Sequence, residues 1–184
     1  MHTGHRSCRS TKRRNRQTLI KNGGNVVEKI TRKVSTHDLF PIIEELLAMD
    51  RQAIFTVKGR SMLPFIGDNR DQVVLDKKDS SNLKVGDIIL FKNKYNNYIL
   101  HRIYRISQEG YLTIGDGNLY FDGYVKSDRI IGVVTKIIRK SKEIDCNSKY
   151  WKSIFYIWMK FLPIRGHLLK IYSNLSKIKR KILT

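Results

Sequence analysis

Acidic residues are scarce: the 184-residue chain has 16 Asp and Glu against 36 Lys and Arg, a formal net charge of +20. Cysteine is rarer still. Cys8 and Cys146 stand far apart, with no CxxC or paired-histidine spacing, which argues against a disulfide framework or a zinc site. Free thiols, no structural metal and no cofactor are expected. No run approaches the ~18–20 apolar residues that span a bilayer, and the basic start lacks the ~7–15-residue apolar stretch of a secretory signal. The expected location is cytoplasmic, with peripheral attachment to the inner membrane face as an option.

The shortage of acid is uneven. Residues 1–35 carry ten Lys and Arg against Glu28, and residues 136–184 carry thirteen against Glu143 and Asp145. The hundred residues between them carry thirteen of each sign. Basic flanks attract phosphate, in nucleic acid or in anionic lipid, while a neutral centre suits a packed core whose chemistry is independent of polyanions.

Residues 1–34 are polar and basic, with too little apolar surface to offset the entropy of ordering, and read as a disordered tail. The segment 35–50 follows. Ser35 and Asp38 resemble an acidic capping box, and Leu39, Ile42, Ile43, Leu46 and Leu47 recur at helical spacing, predicting one helix over about 36–49. Residues 51–140 change to a strand-like period. Runs at Ile54–Val57, Gln72–Leu75, Asp87–Phe91, Tyr98–Ile106, Tyr111–Ile114 and Arg129–Ile137, separated by Gly, Asp and Asn clusters, predict a compact antiparallel β domain. Over 147–184 two apolar stripes broken by Pro163, with Lys and Arg between them, predict a pair of basic amphipathic helices. The fold class is thus mainly β, with one N-terminal helix and a C-terminal helical pair.

Gly59-Arg-Ser61-Met62-Leu-Pro64-Phe65 follows a predicted strand. The glycine permits close backbone approach and the proline fixes the exit, so Ser61 can present both its hydroxyl and its amide to a substrate carbonyl. The ordinary reading is a turn serine. Of five histidines only His101 lies within a predicted strand, where alternation puts Ile99, His101, Ile103 and Arg105 on one face. An imidazole there can accept a hydroxyl proton near neutral pH, although a core histidine bonded to a carbonyl has the same pattern. Thr113-Ile-Gly-Asp116-Gly-Asn118, with Asp122 six residues beyond Asp116, offers two carboxylates, either of which can orient the ring.

With these residues in hand, the sequence resembles the signal peptidase I and LexA-like serine peptidase superfamily. GRSMLPF resembles its nucleophile box, KVGDIILF the strand that follows, ILHRIYRI the base-bearing strand and TIGDGN the Gly-Asp-Asn box. The resemblance covers about residues 52–138, and the order and spacing of the four boxes are more specific than any one of them. WKSIFYIWMKFLPIRGHLLKIY also looks like the end of bacterial members without a transmembrane anchor. The resemblance implies a LexA/signal-peptidase-like β fold and gives Ser61 the place of the nucleophile. His101 stands where the common bacterial enzymes have lysine and another branch has histidine, which implies a Ser-His-acid mechanism. Asp122 matches the orienting acid of that branch by offset, and Asp116 matches the Gly-Asp box. Gly59, two residues before the serine, supplies no hydroxyl to an oxyanion hole, so the Ser61 amide would carry that role.

The expected function is a serine endopeptidase of signal-peptidase type acting on a peptide or protein, including leader or signal-like peptides. The alternative is a catalytically silent basic regulator that uses the same fold to bind membrane or nucleic acid. For residues 147–184 an anionic membrane surface is the candidate partner; nucleic acid is less favoured, because the aromatics lie on the stripe expected to be buried.

Overall fold

The structure, a computed structural model, describes residues 18–22, 25–29, 36–77 and 79–182. In chain order its elements are β1 (Thr18–Asn22), β2 (Asn25–Lys29), α1 (Thr36–Ala48), β3 (Ala53–Thr56), β4 (Asp71–Asp76), β5 (Ile88–Lys92), β6 (Tyr98–Ser107), β7 (Gly110–Ile114), β8 (Gly123–Val125), β9 (Ile130–Arg139), β10 (Lys142–Asp145), α2 (Lys149–Lys160) and α3 (Arg165–Ile182). Eight strands form one antiparallel sheet in the order β3-β4-β9-β5-β6-β7-β8, with β10 paired to β9. The mainly β fold with a leading helix and a closing helical pair is therefore present.

The central strand explains the order. Ile88, Ile89, Leu90 and Phe91 are all buried, an uninterrupted apolar run that only a strand covered on both faces can use. Alternation sends Ile88 and Leu90 into one core with Phe40, Ile43 and Leu47 of α1. Ile89 and Phe91 enter a second core with Ile103, Val125 and Val133. The ten-residue β9 serves three partners because β5 pairs with its first part, through Val133, while β10 takes up the same edge from Lys136 onward.

Three features depart from expectation. Within the segment 1–34, read as a disordered tail, β1 and β2 form an antiparallel hairpin in which Thr18 pairs with Lys29 and Asn22 with Asn25. The ten residues include a short β-branched run on each side of two glycines, the composition that two-residue hairpin connections favour. An average over 34 residues conceals it. The remainder of that segment, Cys8 and the expected cap at Ser35 lie outside the described residues. Strands β8 and β10 were not foreseen: one has three residues, and the other, Lys-Glu-Ile-Asp, has a single apolar residue.

After Asn147 the helical expectation holds in outline. Ser148 caps α2 by accepting a hydrogen bond from the Trp151 amide, and a 3₁₀ turn at Leu162–Ile164 containing Pro163 separates α2 from α3. Phe155 and Met159 are buried.

Candidate active site

Ser61 opens a helical turn just after β3, in a loop closed at both ends. The Asn69 amide donates to the Val57 carbonyl at 2.9 Å, and the Gly59 amide donates to Asp68 Oδ1 at 2.9 Å. Gly59 has φ +104°, a left-handed conformation natural to glycine. Within the turn, the Leu63 amide bonds to the Arg60 carbonyl and the Ile66 amide to the Met62 carbonyl. Met62 and Ile66 drop into the α1 core, so Met62 anchors the loop. The Leu63–Pro64 peptide is cis. Phe65 leaves the loop on the other side and packs edge-on against Phe155 and Trp158 of α2.

The far end of the loop is tied by charge. Asp71, fully buried, takes Arg139 and Arg70 on its two oxygens and the Gly67 amide at 2.7 Å. Burial alone would raise its carboxyl, but the hydrogen bonds from Arg139, Arg70 and Gly67 hold it well below the usual carboxylate range. Arg139 also donates to the Phe65 carbonyl, joining β9 to the serine loop.

His101 lies on β6 opposite Ile89, on the face of the second core between Ile99 and Ile103, and is 5 % exposed. The expected shared face ends there. A register shift between Ile103 and Arg105 breaks the alternation and leaves Arg105 exposed.

The ring Nδ1 is 2.6 Å from Asp122 Oδ2. The same oxygen accepts the Thr113 hydroxyl at 3.0 Å, while the Asp122 amide donates to the Thr113 carbonyl at 3.0 Å. An ionised carboxylate can only accept, so the neutral ring tautomer that fits this contact has its proton on Nδ1 and its lone pair on Nε2. Nε2 faces Gly115. A Cβ built on Gly115 would lie 2.9 Å from it and 2.5 Å from the Ser61 carbonyl oxygen, so ring and serine border one small space.

The two boxes touch through their backbones. The Gly117 amide donates to the Ser61 carbonyl at 2.7 Å, and a Cβ on Gly117 would lie 2.7 Å from the Arg60 carbonyl. Glycine at 115 and 117 is what permits this approach. Among the described residues the Ser61 hydroxyl and amide donate to no acceptor, and no hydrogen bond joins the hydroxyl to the ring. Both groups remain available to a substrate carbonyl.

Asp116, the other candidate orienter, lies elsewhere. It is fully buried and takes Arg102 in a two-pronged pair, Nε to Oδ1 at 2.8 Å and Nη2 to Oδ2 at 2.7 Å, while Arg102 Nη1 donates to the Gly86 carbonyl. The Arg102 guanidinium lies 3.9 Å from the centre of the Phe155 ring. Asp116 thus turns away from His101 and joins the boxes to the sheet.

Sequence reasoning missed four contributors. Thr113 opens the quoted TIGDGN box without having been assigned a role. Arg102, a cation inside a buried strand, is the clearest signal overlooked. Trp158 Nε1 donates to the Asp116 carbonyl at 3.0 Å, and Arg165 Nη1 donates to the carbonyls of Gly115 and Asn118 at 3.3 and 3.2 Å. Nothing in an amphipathic stripe announces where it will pack. Cys146, a free thiol, is pushed up to about 12 by burial, so it stays protonated at neutral pH and is no rival nucleophile. Among the described residues no three His, Cys, Asp or Glu cluster as metal ligands.

Compared with known proteins, the chain matches no family model and no curated protein.

Proposed function

We propose that the chain is a serine endopeptidase of signal-peptidase type that works through Ser61, His101 and Asp122. The observation that carries this is the His101–Asp122 bond, which suits a ring with its lone pair on Nε2, the nitrogen that shares the space over Gly115 with the Ser61 carbonyl. The resemblance of the four boxes to that superfamily adds weight.

In the reaction, Ser61 Oγ attacks the peptide carbonyl while Nε2 of His101 takes its proton. Asp122, itself held by Thr113, fixes the ring and stabilises the imidazolium that forms. The Ser61 amide receives the developing oxyanion. The imidazolium then protonates the leaving amine and the acyl-enzyme forms. Water, deprotonated by His101, attacks the ester carbonyl, releases the acid and restores the serine. The substrate class is a peptide or protein, with leader or signal-like peptides the first to test.

Incubation of purified protein with a peptide library, read by mass spectrometry, tests activity and specificity together. Defined cleavages are expected from wild type and none from Ser61→Ala or His101→Ala. Undiminished cleavage by folded Ser61→Ala protein would refute the proposal.

One observation favours the alternative of a silent regulator: the hydroxyl and the ring are not hydrogen-bonded. Catalytic hydrogen bonds are often long before substrate binds, so this does not outweigh the His101–Asp122 geometry. Absence of any cleavage by wild type would favour the regulator.

A further inference from the structure

The last 38 residues contain nine Lys and Arg and no acid. Helices α2 and α3 spend one side on the β domain: Phe155, Met159 and Arg165 are buried, and Trp158 reaches the Asp116 carbonyl. Among the described residues nothing covers their other side. Ile157, Phe161, Ile164, Ile171 and Leu175 are between 41 and 61 % exposed, and with half-buried Leu168 they recur at alternating spacings of four and three. Lys152, Lys160 and Lys170 are exposed on the same helices. The apolar surface continues onto the loop before Asp122. Leu119 packs beside Gly166, where an added Cβ would lie 3.5 Å from its Cδ1, and Leu119, Tyr120 and Phe121 are exposed.

Scattered exposed apolar residues need no explanation, but a periodic apolar face flanked by one sign of charge does. Three occupants can be weighed by charge and polarity. A second copy would bring another acid-free helical pair against the first, with like charges facing. Nucleic acid would neutralise the lysines yet leave isoleucine, leucine and phenylalanine in water. An anionic bilayer satisfies both, since headgroup phosphates meet the lysines and the apolar stripe enters the boundary of the acyl chains.

We propose that the outer face of α2 and α3, extended by Leu119–Phe121, docks this protein on an anionic lipid surface, with the helices lying in the interface. Among the described residues no helix is long and apolar enough to cross a membrane, in keeping with an interfacial mode. The inner side of the same helices holds the Gly115–Asn118 turn, so docking leaves the contacts that shape the candidate active site undisturbed.

The test is co-sedimentation of the full chain with vesicles of phosphatidylcholine alone and of phosphatidylcholine mixed with phosphatidylglycerol. Binding to the anionic vesicles is expected to be at least about tenfold stronger. An Ile171→Asn/Leu175→Asn variant, and separately Ile157→Asn, are expected to lose about tenfold in partitioning, with circular dichroism and melting temperature unchanged because the residues are exposed. Part of the wild-type binding should survive high salt. No preference for anionic vesicles, or full binding by folded variants, would overturn the proposal. So would DNA binding that is stronger than vesicle binding at equal phosphate, or a dimer in ultracentrifugation that the same substitutions dissolve. None of these readouts depends on proteolysis, so the peptidase proposal can fail while this one stands.

Discussion

Arg102 and Asp116 meet through two parallel hydrogen bonds with both side chains closed to solvent, immediately beside the residue that takes the other acid of the Gly-Asp segment. His101 and Arg102 are neighbours on β6 and point to opposite faces, so the two acids divide them: Asp122 takes the imidazole and Asp116 the guanidinium. In the proposed mechanism the first acid serves the chemistry, while the second joins the turn to the sheet.

The two acids therefore have separable phenotypes. Asp116→Asn leaves a buried guanidinium without its counter-charge and is expected to cost about 3–5 kcal/mol in urea unfolding. Asp122→Asn is expected to unfold much closer to wild type while kcat for peptide cleavage falls about 10²- to 10⁴-fold, since the ring loses the acceptor that fixes its tautomer. Equal stability losses in the two variants would contradict the assignment.

Gly115→Ala tests whether the serine loop and the ring share one space. The new methyl group would meet the Ser61 carbonyl at 2.5 Å and His101 Nε2 at 2.9 Å, distances that force one of them to move. A loss of about 1–3 kcal/mol in stability is expected from overpacking, with cleavage reduced well beyond what the unfolded fraction explains. Assay at a temperature where the variant is fully folded by circular dichroism separates the two effects.

How much of this was legible in the sequence depends on the range of the signal. The run Ile88–Phe91 and the alternation of β6 as far as Ile103 are local patterns, and the sheet uses them as read, whereas the break before Arg105 has no local signal. Lys142–Asp145 is legible only once β9 offers it an edge, because its own residues carry no apolar pattern. The choice between Asp116 and Asp122 was open for a similar reason. It turns on which face of β6 each acid meets, and on Arg102, which shares its strand with the base. The C-terminal stripe was visible, but its target was not. Whether Trp158 and Arg165 meet lipid or the turn at Gly115 is decided by tertiary packing alone.

Acid provides a further check, at Asp71. Its folded carboxyl is held below the ordinary value, so its contribution to stability is complete above the unfolded pKa of about 4 and is lost as pH falls below that. Wild-type unfolding free energy should drop steeply below about pH 4, where Asp71→Asn should show a shallower slope. At pH 7 the variant should be less stable by about 3 kcal/mol, having removed one member of a buried charge cluster. Since the Gly67 amide and Arg139 tie this side chain to the serine loop, activity should decline with it.

Arg165 tests whether the C-terminal helices brace the site. It is fully buried at the start of α3, and its guanidinium spans the carbonyls of Gly115, Asn118 and Trp158. Burial lowers its pKa and Arg102 adds to that, while Asp116 opposes them. The turn it holds also supplies the Gly117 amide to the Ser61 carbonyl. Lysine has one donor head and cannot reproduce the fork, so Arg165→Lys leaves at least one carbonyl unpaired and is expected to cost about 1–3 kcal/mol. If the brace positions the serine, kcat should fall about tenfold or more with KM little changed, because the substrate surface is intact and only the reacting geometry loosens. A folded Arg165→Lys variant with wild-type kcat would make the brace purely structural, and would detach the function of α2 and α3 from catalysis.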